Sequence, residues 1–144
     1  MTQKQVFHYL LSLLLVTIVF IYGLNMPTLI TGNTHLVKEY YYDRFLESFL
    51  LDVVLVALYL GVAYKGFQIL GVKSFIGQLL VVAGVTSIIS GAFYLYFVSA
   101  PKSNMFFSRW FHSVGYKAVI YDIALLCLVF GVYEYIRKHI QKLS

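Results

Sequence analysis

Between Phe75 and Ala100 the chain carries no charged residue, and the run stops at Pro101. About 26 residues at 1.5 Å each give a helix of about 39 Å, longer than the ~30 Å hydrocarbon core of a bilayer. A segment of that length and uniformity reads as a membrane span that tilts or reaches into the headgroups. The rest of the chain agrees, with 60% hydrophobic and only 12% charged residues among 144 where a soluble domain carries about 25% charge. Too little polar surface is left to coat a water-soluble globule.

Three further spans fit the same dimensions. The first covers about residues 6–24 and ends at the breaker Asn25-Met26-Pro27. It reads as retained, because Tyr22–Met26 offers no small-residue cleavage site. The second covers about 45–69 and carries Glu47 and Asp52 near its start; the third is the run 75–100; the fourth covers about 117–137, with Asp122 near its start and Glu134 near its end. The expected fold is therefore all-α: an integral membrane protein forming one four-transmembrane-helix bundle over residues 1–144.

Four crossings bring both termini to one side, with Lys4, Lys65, Lys73, Arg137, Lys138 and Lys142 there and Lys38, Arg44, Lys102, Arg109 and Lys117 opposite. The small basic excess points to termini on the cytoplasmic side. With a net charge of +5, the lipid bilayer is the expected partner, with anionic headgroups against the Arg137–Lys142 tail, and nucleic acid is not.

Spans two and four align without gaps from Asp52 to Val62 and from Asp122 to Val132, sharing Asp, two Leu, Gly and Val. Each follows an aromatic connector containing an arginine, Arg44 or Arg109. Two related helical hairpins, repeated in the same orientation, account for this pattern. Small residues mark a candidate packing seam: Gly77, Gly84, Ser87 and Gly91 on span three, Ala57 and Gly61 on span two, Cys127 and Gly131 on span four. Span three is accordingly expected at the centre, and the same seam suits a homo-oligomer.

Asp52 and Asp122 are the polar pair that a structural account does not absorb at once, because a carboxylate inside a membrane is costly and a functional candidate by default. Each points away from its own small residues, toward another helix or a connector. Arg44, Arg109 and Lys117 are the expected counter-charges, and Tyr41, Tyr59 and Tyr121 the expected hydrogen-bond donors. Thr17, Thr86, Ser87 and Ser90 are expected to bond their own helix backbones. The connectors hold Tyr40, Tyr41, Tyr42, Phe106, Phe107, Trp110 and Phe111, an interfacial aromatic belt or a surface for a partner. The lone Cys127 excludes an intramolecular disulfide and a thiol-based zinc site. His8, His35, His112 and His139 all fall near span ends, away from a haem-binding depth. No catalytic, phosphate-loop or selectivity-filter motif is present, so no enzyme activity and no cofactor are expected.

The segment Arg109–Leu126, with Gly115, Ala118, Val119, Ile120, Asp122 and Ile123, and more weakly the segment from Phe45 to Val56, resembles small multi-pass membrane proteins encoded by large double-stranded DNA viruses. That resemblance implies a non-enzymatic structural component of a virion internal membrane, in contact with capsid or neighbouring membrane proteins. The residues alone leave a second class open: a small ion or proton channel, or transporter, using Asp52 and Asp122.

Overall fold

The computed structural model describes residues 3–32, 34–101 and 106–143, with side chains at all of these but 34 and 140–143. Lys102 and the side chains of Ile140, Gln141 and Lys142 lie outside that set. Seven α-helices make up the described chain: α1 (Gln3–Val16), α2 (Met26–Thr31), α3 (Thr34–Val37), α4 (Phe45–Leu70), α5 (Phe75–Ser99), α6 (Phe106–Val114) and α7 (Lys117–Leu143). Thr17–Gly23 and Lys38–Asp43 continue α1 and α3 as wider π-helical turns. Four stretches are long and apolar enough to cross a membrane: Gln3–Gly23, Phe45–Leu70, Phe75–Ser99 and Lys117–His139. They pack as a bundle whose connectors α2, α3 and α6 lie at the end opposite the termini.

Local chemistry sets the ends of the spans. Asn25 adopts φ 54° to open α2, with Pro27 in the first turn, where a missing N–H removes no helix bond. Gly71, at φ 68°, closes α4 in the left-handed conformation that only glycine takes freely. Ser74 caps α5 through Oγ, which accepts from the Gly77 amide at 3.1 Å. A Cβ at Gly77 would come within 2.8 Å of that oxygen and of Val72, so this glycine makes room for the cap.

The centre of the bundle is α7, not the third span. Helix α7 packs on α1, α2, α4, α5 and α6 and buries Ala118, Tyr121, Leu125, Leu126, Val129, Phe130 and Tyr133. Helix α5, apolar all round, buries only Val82, Thr86 and Ser90. The small-residue seam behaves differently from its expected role: a Cβ at Gly61, Gly84 or Gly91 would meet nothing within 4 Å, and at Gly131 only Phe75, at 3.9 Å. Ala57 is exposed, and Ser87 and Cys127 are half-buried. Aromatic side chains fill the interior instead and hold the backbones apart, as with Phe67 against Phe130, on whose ring the exposed Phe75 stacks.

The alignment of α4 with α7 extends to the whole bundle. Shifting the numbering by seventy residues superposes buried positions of the first and third spans (Ser12 and Val82, Val16 and Thr86, Phe20 and Ser90) and of the second and fourth (Val56 and Leu126, Tyr59 and Val129, Leu60 and Phe130, Ala63 and Tyr133). Packing follows suit, since α1 lies on α7 as α5 lies on α4. Residues seventy apart also touch each other at both ends of the bundle, Glu39 with Arg109 and Tyr64 with Glu134. Contacts between equivalent residues are what an approximate two-fold axis along the bundle produces. The relation is broken by α5, which also packs closely on α7.

The glycines separate these roles experimentally. Gly77→Ala should lower stability in detergent by about 1 kcal/mol, the usual worth of a helix cap, while Gly84→Ala and Gly91→Ala should leave the thermal midpoint of the monomer unchanged or raised. Thermal unfolding followed by circular dichroism reads both, and loss of stability at Gly84 or Gly91 only in a larger species would assign that face to a second copy.

Candidate functional site

At the connector end, two short segments close over the bundle because each has one aromatic face. In the turn Lys38–Asp43, Tyr41 is buried and Tyr40 half-buried; in α6, Ser108, Trp110, Phe111 and Val114 are buried. Their rings stack: Tyr40 on Phe106 with centroids 4.7 Å apart, Phe106 on Trp110 at 5.8 Å, and Phe111 on Phe97 of α5 at 5.5 Å. Each such pair contributes about 0.5–1.5 kcal/mol beyond the area it buries.

One ion pair clamps the two segments together. Arg109 donates through both terminal nitrogens to the two Glu39 oxygens, at 2.7 and 2.6 Å, the bidentate geometry that a planar guanidinium favours. Its carbon also lies 6.0 Å from the Phe106 ring centre, and Arg44 approaches Glu39 at 4.0 Å. The hydrogen bonds from Arg109 hold the Glu39 carboxyl below the ordinary carboxylate range, and the same bonds raise the guanidinium.

Beneath this roof lies a cavity of about 180 Å³ between α4, α5 and α7. Asp52 and Asp122 both face it, joined by Tyr59 and Tyr121 and by the underside of the roof. Asp52 is buried and accepts from the Tyr40 hydroxyl at 3.2 Å. Asp122 accepts from Ser90 of α5 at 2.5 Å. Tyr41 and Tyr121 bond each other at 2.7 Å, and Tyr22 donates to the Tyr41 carbonyl. Burial, with the nearby Asp52 carboxyl contributing to both, pushes the Tyr40 and Tyr41 hydroxyls far above the ordinary phenol value, so both stay protonated donors.

The expected partners are thus rearranged. Arg109 serves Glu39, and among the described residues neither aspartate has a basic partner within ion-pair distance; Lys117 is exposed. The donors to the carboxyls are Tyr40 and Ser90, not Tyr41, Tyr59 or Tyr121. Ser87 bonds the Ala83 carbonyl at 2.7 Å as anticipated for a hydroxyl in a span, whereas Ser90 turns to Asp122 and the hydroxyls of Thr17 and Thr86 have no partner among the described residues. Of the seven aromatics singled out in the connectors, Tyr42 is exposed; Tyr40, Phe106 and Phe107 are half-buried, and Tyr41, Trp110 and Phe111 are buried.

A second polar group that sequence reasoning missed sits at the terminal end. Glu134, 4% exposed, accepts from Tyr64 at 2.6 Å and from Arg137 at 2.5 Å. Extending the alignment two residues past Val62 and Val132 makes Tyr64 and Glu134 equivalent positions. Between Glu134 and the two aspartates, Val56, Leu60 and Ala63 of α4 and Leu126, Val129 and Phe130 of α7 form a buried apolar layer. Among the described residues no three His, Cys, Asp or Glu side chains gather as a metal-ligand set. Comparison of the chain with protein-family models, curated proteins and solved structures gives no match.

Trp110, the single tryptophan, reports on the roof. Because the Glu39 carboxyl is lowered in the folded chain, its contribution is present above the unfolded value of about 4.3 and is lost as pH falls through the folded value. Trp110 emission should hold steady from neutral pH to about 4 and shift to the red below it. Glu39→Gln and Arg109→Gln should show the red-shifted spectrum at neutral pH, and the exchanged pair Glu39→Arg with Arg109→Glu should restore the blue one.

Proposed function

We propose that the protein is a non-enzymatic structural membrane protein whose bundle presents its connector end to neighbouring proteins, and that its setting is the internal membrane of a virion, in contact with capsid or other membrane proteins. The observation that carries the structural reading is the fate of the carboxyls inside the spans. Asp52, Asp122 and Glu134 each accept a hydrogen bond from a different element of the same bundle, so they tie helices together. The virion setting rests on the resemblance of Arg109–Leu126.

A channel or transporter would need its polar groups to connect the two ends. Asp122 and Glu134 lie twelve residues apart along α7, about 18 Å at helical rise; the facing residues of α4 and α7 between them are apolar, and the buried hydroxyls of Thr17 and Thr86 form no hydrogen bond among the described residues. Exposed aromatics near the roof include Tyr42, Phe45, Tyr96 and Tyr116.

Reconstituted in liposomes, the protein should give no proton or cation flux above that of empty vesicles, and Asp52→Asn with Asp122→Asn should change thermal stability without creating or removing a current. A photo-crosslinker at position 42 or 116 should capture one stoichiometric protein neighbour in the native membrane. Flux abolished by the double aspartate substitution would replace the structural reading with the transport one.

A further inference from the structure

The roofed cavity is set apart by its chemistry. One water needs about 10–15 Å³ of such space, so a cavity of about 180 Å³ admits a ligand of several heavy atoms. Its wall contains two carboxyls and no basic side chain; the rest is aromatic and aliphatic. Each carboxyl is met by one hydroxyl, from Tyr40 or Ser90, and the second oxygen of each has no donor among the described residues.

These features select among ligand classes. An anion would meet two like groups. A purely apolar molecule would leave the spare carboxyl oxygens without a partner in a dry environment, which is unfavourable. A hard metal ion wants six or more oxygen ligands, and the aromatic wall offers few. A substituted ammonium ion satisfies both halves of the wall: its charge lies against the carboxyls, and its alkyl groups, which carry part of that charge, lie against ring faces. We infer that the cavity binds a substituted ammonium ion, with Asp52 and Asp122 as its counter-charges and Tyr40, Phe97 and Trp110 as its aromatic wall.

This inference is independent of the structural role proposed above. It also explains why the two carboxyls occupy equivalent positions in the repeated halves and converge on one space without a basic residue to neutralise them. Phe93 is the one wall residue exposed on the flank of the bundle, which places that edge of the cavity toward lipid. The ammonium group is therefore either a choline headgroup of a phospholipid or a free amine from solution.

The full chain in nanodiscs of phosphatidylglycerol, which carries no ammonium, tests the inference. Choline should change Trp110 emission saturably. Its uncharged isostere, 3,3-dimethylbutan-1-ol, should act at least tenfold more weakly, and Asp52→Asn and Asp122→Asn should each weaken choline binding at least tenfold while retaining helical circular dichroism. In discs containing phosphatidylcholine, a shift of the choline titration to higher concentration, or phosphatidylcholine retained by the protein on exchange into phosphatidylglycerol, identifies the headgroup as occupant; an unshifted titration identifies the free amine. Equal binding of the isostere, wild-type binding by the folded aspartate variants, or no saturable response together with no retained phosphatidylcholine overturns the inference. Should the variants not fold, the isostere comparison on the unmodified chain decides alone.

Discussion

A carboxyl carried into a membrane has no water to fall back on, and this chain holds two buried in the bundle, Asp52 and Glu134, and a third, Asp122, half-buried. Each finds its donor on another element: Asp52 on the Lys38–Asp43 turn, Asp122 on α5, Glu134 on α4. The requirement fixes more than local geometry. It sets the rotation of α5 against α7 through Ser90, draws the first connector over the bundle through Tyr40, and holds α4 beside α7 through Tyr64. Lipid provides little hydrophobic driving force between helices, so these few directional bonds decide which faces meet.

Aromatic filling completes what the hydrogen bonds begin. Phe130, fully buried in α7, touches Tyr64 and Phe67 of α4 and stacks on Phe75 of α5. Large rings at the interior explain why α7 is central although its small residues are few. They also explain why glycines of α5 face outward: a glycine is needed where backbones approach closely, and here ring-sized spacers prevent that approach.

The number and extent of the spans were legible in the sequence because length and charge depletion alone determine whether a helix can cross a bilayer. The pair Asp52 and Asp122 was legible for the same reason, as an exception to that depletion. What could not be read was which partner each would take. Arg109 is close to Asp122 in sequence, yet the α6 backbone turns its guanidinium to Glu39, and a hydroxyl of α5 replaces it. The direction of the aromatic connectors was equally hidden, since a ring suits an interface and an interior alike, and only the cavity beneath them gives Trp110 and Phe111 a place to go. Spacing of small residues failed as a guide to the centre because it records where helices can approach, not where they do.

The contacts between residues seventy apart have a consequence for the symmetry itself. On a true two-fold axis a residue meets its own copy, so a dimer of either half alone would set Glu39 against Glu39 or Arg109 against Arg109. Like charges would repel, and at the other end two tyrosines or two carboxyls would face each other. Joining the halves in one chain lets the two sides of the axis differ, and Glu39 with Arg109 and Tyr64 with Glu134 are equivalent residues that differ in chemistry and touch. Asp52 and Asp122 stay alike where they share one cavity, while complementarity replaces likeness at these two contacts.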